Sequence, residues 1–129
     1  MAKILLIDDS VVDRMVVRRT LEQNAHEVFE SDNPADALLT IREVKPDLVL
    51  LDVVMPEMNG YEVCRLLKRQ SSFSRLPVIF LSSRSRKSDI FWGLHQGAED
   101  YLTKPVNSVE LLETVNKWLG NKLNVGIDG

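Results

Sequence analysis

Three short, uninterrupted apolar runs, Ile4 to Ile7, Leu48 to Leu51 and Pro77 to Leu81, constrain this chain more than any other feature. A strand with one wet face alternates apolar and polar residues, so a run without alternation must be covered on both faces, as in a parallel sheet with helices above and below. Helical spacing fills the gaps. Pro34, Ala37, Leu38 and Ile41 follow i, i+3, i+4, i+7, with Asn33 as cap and Pro34 at the first helical position, where its missing N–H costs nothing. Gly60, Val63, Cys64 and Leu67 repeat that spacing. A helix from about Val109 to Leu119 carries Leu111, Leu112, Val115, Trp118 and Leu119 as its stripe, with Asn107 and Glu110 resembling a capping box. Gly120 is expected to stop it.

A first helix after Ser10, strands near Glu27 to Ser31 and Asp100 to Thr103, and a fourth helix near Ser85 to Gln96 complete five β-α pairs. Such alternation predicts a doubly wound α/β sheet with right-handed crossovers. Phe91, Leu94 and Ala98 read as the buried stripe of the fourth helix. Ile90 and Trp92 fall toward its edges as candidate contact residues, although packing is the expected role of a large aromatic such as Trp92.

A chain of 129 residues suits one domain, expected over 1–120 with a tail over 121–129. Sixteen basic against nineteen acidic residues argue against a general nucleic-acid or membrane-surface binder, so the expected partners are proteins or small anions. One cysteine, Cys64, excludes an internal disulfide and fits a reducing compartment. The first apolar run is too short to span a bilayer or serve as a signal peptide, which makes a cytoplasmic location the expectation.

In a doubly wound sheet, sites form at the carboxyl ends of the strands. Asp8, Asp9, Asp52, Ser82 and Lys104 all fall there. Any one of them reads alone as a cap, a turn residue or a solvated charge; together they form a chemically consistent set. Two carboxylates about 4 Å apart repel by roughly 4 kcal/mol at an effective dielectric near 20, so a cluster of three needs a compensating charge. Oxygen-only donors suit Mg²⁺, with Asp9 and Asp52 as direct ligands and Asp8 behind them. Lys104 adds a point charge and Ser82 a hydroxyl donor. These are the parts of phosphoryl transfer, with Asp52 as the nucleophile.

The chain resembles the response-regulator receiver domains of two-component signalling, specifically the stand-alone chemotaxis type, over residues 3 to 119. The resemblance rests on Leu6-Ile7-Asp8-Asp9-Ser10, on Leu50-Leu51-Asp52 through Met55-Pro56 to Asn59-Gly60, on Val78 to Ser83, and on Gly97-Ala98 through Tyr101 to Lys104-Pro105. It implies a flavodoxin-like five-stranded parallel sheet of order 2-1-3-4-5. It also implies Asp52 as phosphoacceptor, Asp8 and Asp9 as the acidic pair for Mg²⁺, and the carbonyl of Val54 as a third protein ligand. Ser82 would be the switch hydroxyl, Lys104 the phosphate-binding lysine, and Tyr101 a switch aromatic that turns inward when Ser82 moves. The Lys104–Pro105 peptide would be cis, an isomer that proline makes accessible. Trp92-Gly93-Leu94-His95-Gln96-Gly97-Ala98 is further similar to small receivers of type IV pilus, twitching and phototaxis systems.

The implied partners are a histidine kinase or phosphotransfer protein and a downstream protein target, with motility machinery one candidate. Ile90, Trp92 and Tyr101 form the candidate partner surface, no direct nucleic-acid contact or membrane insertion is expected, and the expected state is a monomer or weak dimer. A phosphorelay shuttle and a phosphorylation-independent binding module are alternatives. A haloacid-dehalogenase-type phosphatase uses similar parts but needs a second Asp two residues after its nucleophile, where Val54 stands. A flavodoxin-like redox binder is the structural runner-up, but Asp8-Asp9 would repel a flavin phosphate where a hydroxyl-rich loop is needed.

Overall fold

The computed structural model describes residues 2–56 and 58–127. Its elements run β1 (Lys3–Ile7), α1 (Val11–Gln23), β2 (Glu27–Ser31), α2 (Pro34–Val44), β3 (Leu48–Asp52), α3 (Gly60–Arg69), β4 (Val78–Ser82), α4 (Lys87–His95), β5 (Asp100–Thr103) and α5 (Ser108–Ile127). All pairings are parallel and the strand order is β2-β1-β3-β4-β5. This is the doubly wound arrangement that the apolar runs and helical spacings predict.

The apolar runs are explained by two cores, one on each face of the sheet. Leu5, Ile7, Val49, Leu51, Val78 and Phe80 point to one face and pack with Ala37 and Ile41 of α2 and Val63, Cys64 and Leu67 of α3. Ile4, Leu6, Leu48, Leu50, Ile79 and Leu81 point to the other and meet Val17 and Leu21 of α1 and Leu111, Val115 and Leu119 of α5. Each fully buried side chain of this size contributes roughly 1.5–3 kcal/mol relative to exposure, so both faces are heavily stabilised.

Side-chain caps start α1, α2, α3 and α5. Ser10 Oγ accepts from the N–H of Asp13, Asn33 Oδ1 from Ala35, Asn59 Oδ1 from Glu62, and Asn107 Oδ1 from both Val109 and Glu110. Each satisfies donors that the first helical turn leaves open.

Two local expectations are corrected. Gly120 does not stop α5, which continues to Ile127. A mid-helix glycine costs only about 1 kcal/mol, and a Cβ at this position would meet nothing within 4 Å. Asp128 and Gly129 of the expected tail lie outside the described residues.

The second correction concerns α4. Phe91, Leu94 and Trp92 are exposed, by 68%, 41% and 51% respectively, while Gly93 and Gln96 are buried and Ile90 is partly buried against the core. Ala98 is buried, but lies beyond the helix. The cause is at Gly93, where an added Cβ would stand 2.9 Å from the Tyr101 ring. The helix therefore approaches the sheet through its smallest residue, and a search for large apolar residues selects the wrong face.

Candidate functional site

The parallel strands deliver their last residues to one edge. β1 leads into Asp8 and Asp9, β3 ends at Asp52, β4 at Ser82, and β5 leads into Lys104. Asp8, Asp52 and Ser82 are buried, and Asp9 is exposed. Lys104 enters the cluster because its backbone N–H donates to the Ser82 carbonyl at 2.8 Å, extending the pairing of β4 and β5 by one residue. The Lys104–Pro105 peptide is cis, as expected.

Carboxylate oxygens of Asp8, Asp9 and Asp52 all lie within 4.8 Å of one another. The Lys104 ammonium donates to Asp8 Oδ2 at 2.8 Å, to Asp13 Oδ2 at 2.8 Å and to Asp52 Oδ2 at 3.4 Å. Asp8 also accepts the Ser10 N–H on Oδ1, and its carbonyl accepts from Arg14. Asp52 Oδ1 accepts the Val54 N–H at 3.2 Å. The structure thus brings together all five residues singled out in the sequence and adds one that was missed, Asp13. Asp13 is the third helical residue after the Ser10 cap, a position that points back over the strand ends. Its place in the first turn of α1 was the only signal available, and spacing along that helix does not by itself aim it at Lys104.

Gly60 closes the loop after β3. Its N–H donates to the Val53 carbonyl at 2.7 Å, and a Cβ there would lie 2.1 Å from the Asp52 carbonyl oxygen. Only a residue without a side chain fits this approach.

Charge in this pocket is out of balance. Burial pushes the Asp52 carboxyl up to about 6; Lys104 pulls the other way, and Asp8 adds to the rise. Burial also works to lower the Lys104 ammonium, but Asp13, Asp8 and Asp52 outweigh it and hold its pKa above the ordinary value. Asp13, bonded to Lys104, is held below the usual carboxylate range. One cation facing four carboxylates is the state a hard divalent ion relieves, and an all-oxygen donor set fits Mg²⁺.

On the β4 side, Ser82 Oγ accepts the Arg84 N–H at 3.1 Å, and the Arg84 carbonyl accepts the Tyr101 hydroxyl at 2.7 Å. The Arg84 peptide is therefore held from both sides. Tyr101 is already inward, 8% exposed and beside Phe80, so the expectation that it turns inward only after Ser82 moves does not describe this structure. The hydrogen bond to Arg84 and the space left by Gly93 hold it there. Of the candidate partner residues Ile90, Trp92 and Tyr101, only Trp92 is exposed. Tyr61, not singled out in the sequence, sets its ring edge-on to Phe80 at 5.3 Å and donates to the Asp89 carbonyl at 3.3 Å, tying α3 to the start of α4.

A two-core parallel sheet with an acidic, lysine-bearing pocket at its carboxyl edge defines a class of flavodoxin-like signalling domain. Residues 4–116 match the response regulator receiver domain, and the chain belongs to that family. It is 41% identical to Protein PilH of Pseudomonas aeruginosa over 90% of this chain and 96% of PilH. Protein PilG of the same organism is 35% identical over 88% of this chain and 84% of PilG. The Streptomyces coelicolor regulator AfsQ1 is 39% identical, but this chain spans only 46% of it. Among solved structures, the chemotaxis response regulator CheY4 of Vibrio cholerae matches with a TM-score of 0.85 at 31% identity, over 92% of this chain and 98% of that one. Receivers of this CheY-like kind are signalling proteins, not dedicated substrate-turnover enzymes, and the family binds Mg²⁺ at its acidic pocket. Among the described residues, no helix is long and apolar enough to cross a membrane.

Proposed function

We propose that this receiver accepts a phosphoryl group on Asp52 from a histidine kinase or phosphotransfer protein and passes the change on to a protein partner. The observation that carries the reading is the Lys104 ammonium within reach of Asp8, Asp13 and Asp52 in a pocket that still holds excess negative charge. Asp8, Asp9, Asp52 and the Val54 carbonyl would hold Mg²⁺, which supplies neutralisation of the carboxylates and of the arriving phosphoryl oxygens. An Asp52 oxygen attacks phosphorus as the phosphorus–nitrogen bond to the donor imidazole breaks. Lys104 transfers part of its charge pairing from Asp52 to the phosphoryl group.

Ser82 gives up the Arg84 N–H and donates its hydroxyl proton to a phosphoryl oxygen. The Arg84 peptide, still bonded to Tyr101, then shifts the loop that begins α4. The exposed apolar residues Val11, Val12, Met15 and Val16 of α1 stand beside the pocket and suit a docking phosphodonor. Similarity to PilH and PilG supports a role in surface motility or taxis, exercised in the cytoplasm. The inward Tyr101 favours a second reading, in which the unphosphorylated protein already binds a partner.

Incubation with Mg²⁺ and acetyl phosphate, followed by intact mass, tests the first reading. Wild type should gain one phosphoryl group and Asp52→Asn none. Equal labelling of both proteins, or none of wild type, would overturn it. Phosphotransfer profiling against histidine kinases at short times would then identify the donor.

A further inference from the structure

We infer that Asp13 is a positioning residue that holds Lys104 back from the phosphoryl group and so limits how fast Asp52 captures one. The inference rests on the reading of Asp52 as phosphoacceptor and deepens it. An ammonium has three N–H donors. Those of Lys104 are all committed, to Asp8 Oδ2 at 2.8 Å, to Asp13 Oδ2 at 2.8 Å and to Asp52 Oδ2 at 3.4 Å. The two short bonds go to carboxylates that do not react. They hold the ammonium off the one that does.

Asp13 owes its place to a closed ring of hydrogen bonds. Asp8 Oδ1 accepts the Ser10 N–H, Ser10 Oγ accepts the Asp13 N–H, Asp13 Oδ2 accepts from Lys104, and Lys104 returns to Asp8 Oδ2. The carboxylates close enough together to share a cation are Asp8, Asp9 and Asp52. A metal ion there neutralises those three and leaves the claim of Asp13 on Lys104 standing.

For Lys104 to reach a phosphoryl group on Asp52, one short bond must open, and burial selects which. Asp8 is fully buried, so withdrawing the ammonium would strand its charge away from water. The Asp13 side chain is 41% exposed, so water can solvate it once released. A cavity of about 90 Å³ lined by Asp13, Val16, Val17, Lys104, Pro105 and Val106 adjoins the pair, which lets the two side chains part without repacking the core. Opening the Asp13 bond is therefore the step that precedes capture, and its cost slows the reaction.

Rates of labelling by acetyl phosphate at saturating Mg²⁺ test this in the full chain. Asp13→Asn and Asp13→Ser should each label about three- to tenfold faster than wild type, because the competing charge is gone. Asp13→Glu, which keeps the charge, should lie closer to wild type than to Asp13→Asn. In a Lys104→Met background, adding Asp13→Asn should change the rate by less than about twofold, since Asp13 acts through the lysine. The Mg²⁺ dissociation constant, read from thermal melts over a range of Mg²⁺ concentrations, should differ by less than about twofold between wild type and Asp13→Asn. Asn and Ser both suit the start of a helix, and a cooperative urea transition establishes that each variant folds.

Unchanged or slower labelling in folded Asp13→Asn and Asp13→Ser overturns the inference, since a carboxylate that serves only the first turn of α1 offers no reason for a gain. An equal gain in the Lys104→Met background overturns it too, by assigning the effect to direct repulsion of the anionic donor. So does a gain matched by tighter Mg²⁺ binding, which would belong to the metal site. The two readings fail differently: a wild type that takes no label defeats the phosphoacceptor reading and this inference with it, whereas a labelled wild type that Asp13→Asn does not outpace defeats the inference alone.

Discussion

Two lysines pair with carboxylates at opposite edges of the same sheet, and their surroundings differ in one respect. At the amino edge, Lys68 of α3 bonds both carboxylate oxygens of Glu99 and the Leu76 carbonyl at 2.7 Å, while Glu99 Oε2 also accepts the Val78 N–H. One cation meets one anion, and the remaining donors and acceptors are taken up by backbone. At the carboxyl edge, Lys104 meets Asp8, Asp13 and Asp52, with Asp9 adjacent. The first cluster is balanced and closes the structure; the second is unbalanced and is completed only from outside. Charge balance, more than burial, separates this structural ion pair from the candidate site.

The sharpest test of that contrast removes each lysine's charge in turn. Lys104→Met should slow acetyl phosphate labelling by about a hundredfold or more, since a charge aimed at the phosphoryl group is removed from a water-poor pocket. Lys68→Met should leave labelling unchanged, yet lower stability by about 3 kcal/mol in urea titrations by leaving Glu99 unpaired. Comparable labelling losses in both variants would erase the distinction.

Asp52→Asn probes the imbalance directly through pH. A carboxyl raised from 3.8 to about 6 holds its proton more tightly in the folded state. Its contribution is therefore favourable in acid and is lost as pH rises between those values, by at most about 3 kcal/mol. Without Mg²⁺, Asp52→Asn should exceed wild type in stability by about 2 kcal/mol at pH 7–8, and the gap should close below pH 4. Urea midpoints across that range would reveal it, and a gap independent of pH would contradict the burial of an ionised carboxylate as its cause. Mg²⁺ at tenfold its dissociation constant should stabilise wild type by about 1.4 kcal/mol, an effect lost in Asp9→Asn and retained in Lys68→Met when thermal melts are compared.

The smallest expected effect concerns the lifetime of the modified state. Val54 and Arg84 each lie two residues beyond a site residue, both exposed beside the pocket. Val54→Asn and Arg84→Ala should alter decay of the aspartyl phosphate severalfold, while each changes stability by less than about 0.5 kcal/mol. Unaltered decay in both would show that the route of the attacking water lies elsewhere.

The sheet was legible because unbroken apolar runs have few solutions, and the site because strand ends converge in any parallel doubly wound fold. Asp13 was not legible as a site residue: its role depends on the register of α1 relative to β5, which spacing along one element does not specify. The α4 face was misread because burial there is decided by a glycine against Tyr101, whereas hydrophobic periodicity weighs only large side chains. The inward Tyr101 rests on a hydrogen bond to the Arg84 carbonyl and on the space left by Gly93, and no local pattern encodes that combination.

Gly60 carries no charge and no donor side chain, yet the strand end bearing Asp52 passes within touching distance of its Cα. In a saturation mutagenesis library selected for phosphorylation, position 60 should be as intolerant as position 52. The causes differ: at 52 every alternative lacks the carboxylate or, in glutamate, carries it one methylene out of place, whereas at 60 every alternative occupies volume. A survey of tolerated substitutions would thus record two equally silent columns, one chemical and one steric, and only the spatial arrangement distinguishes them.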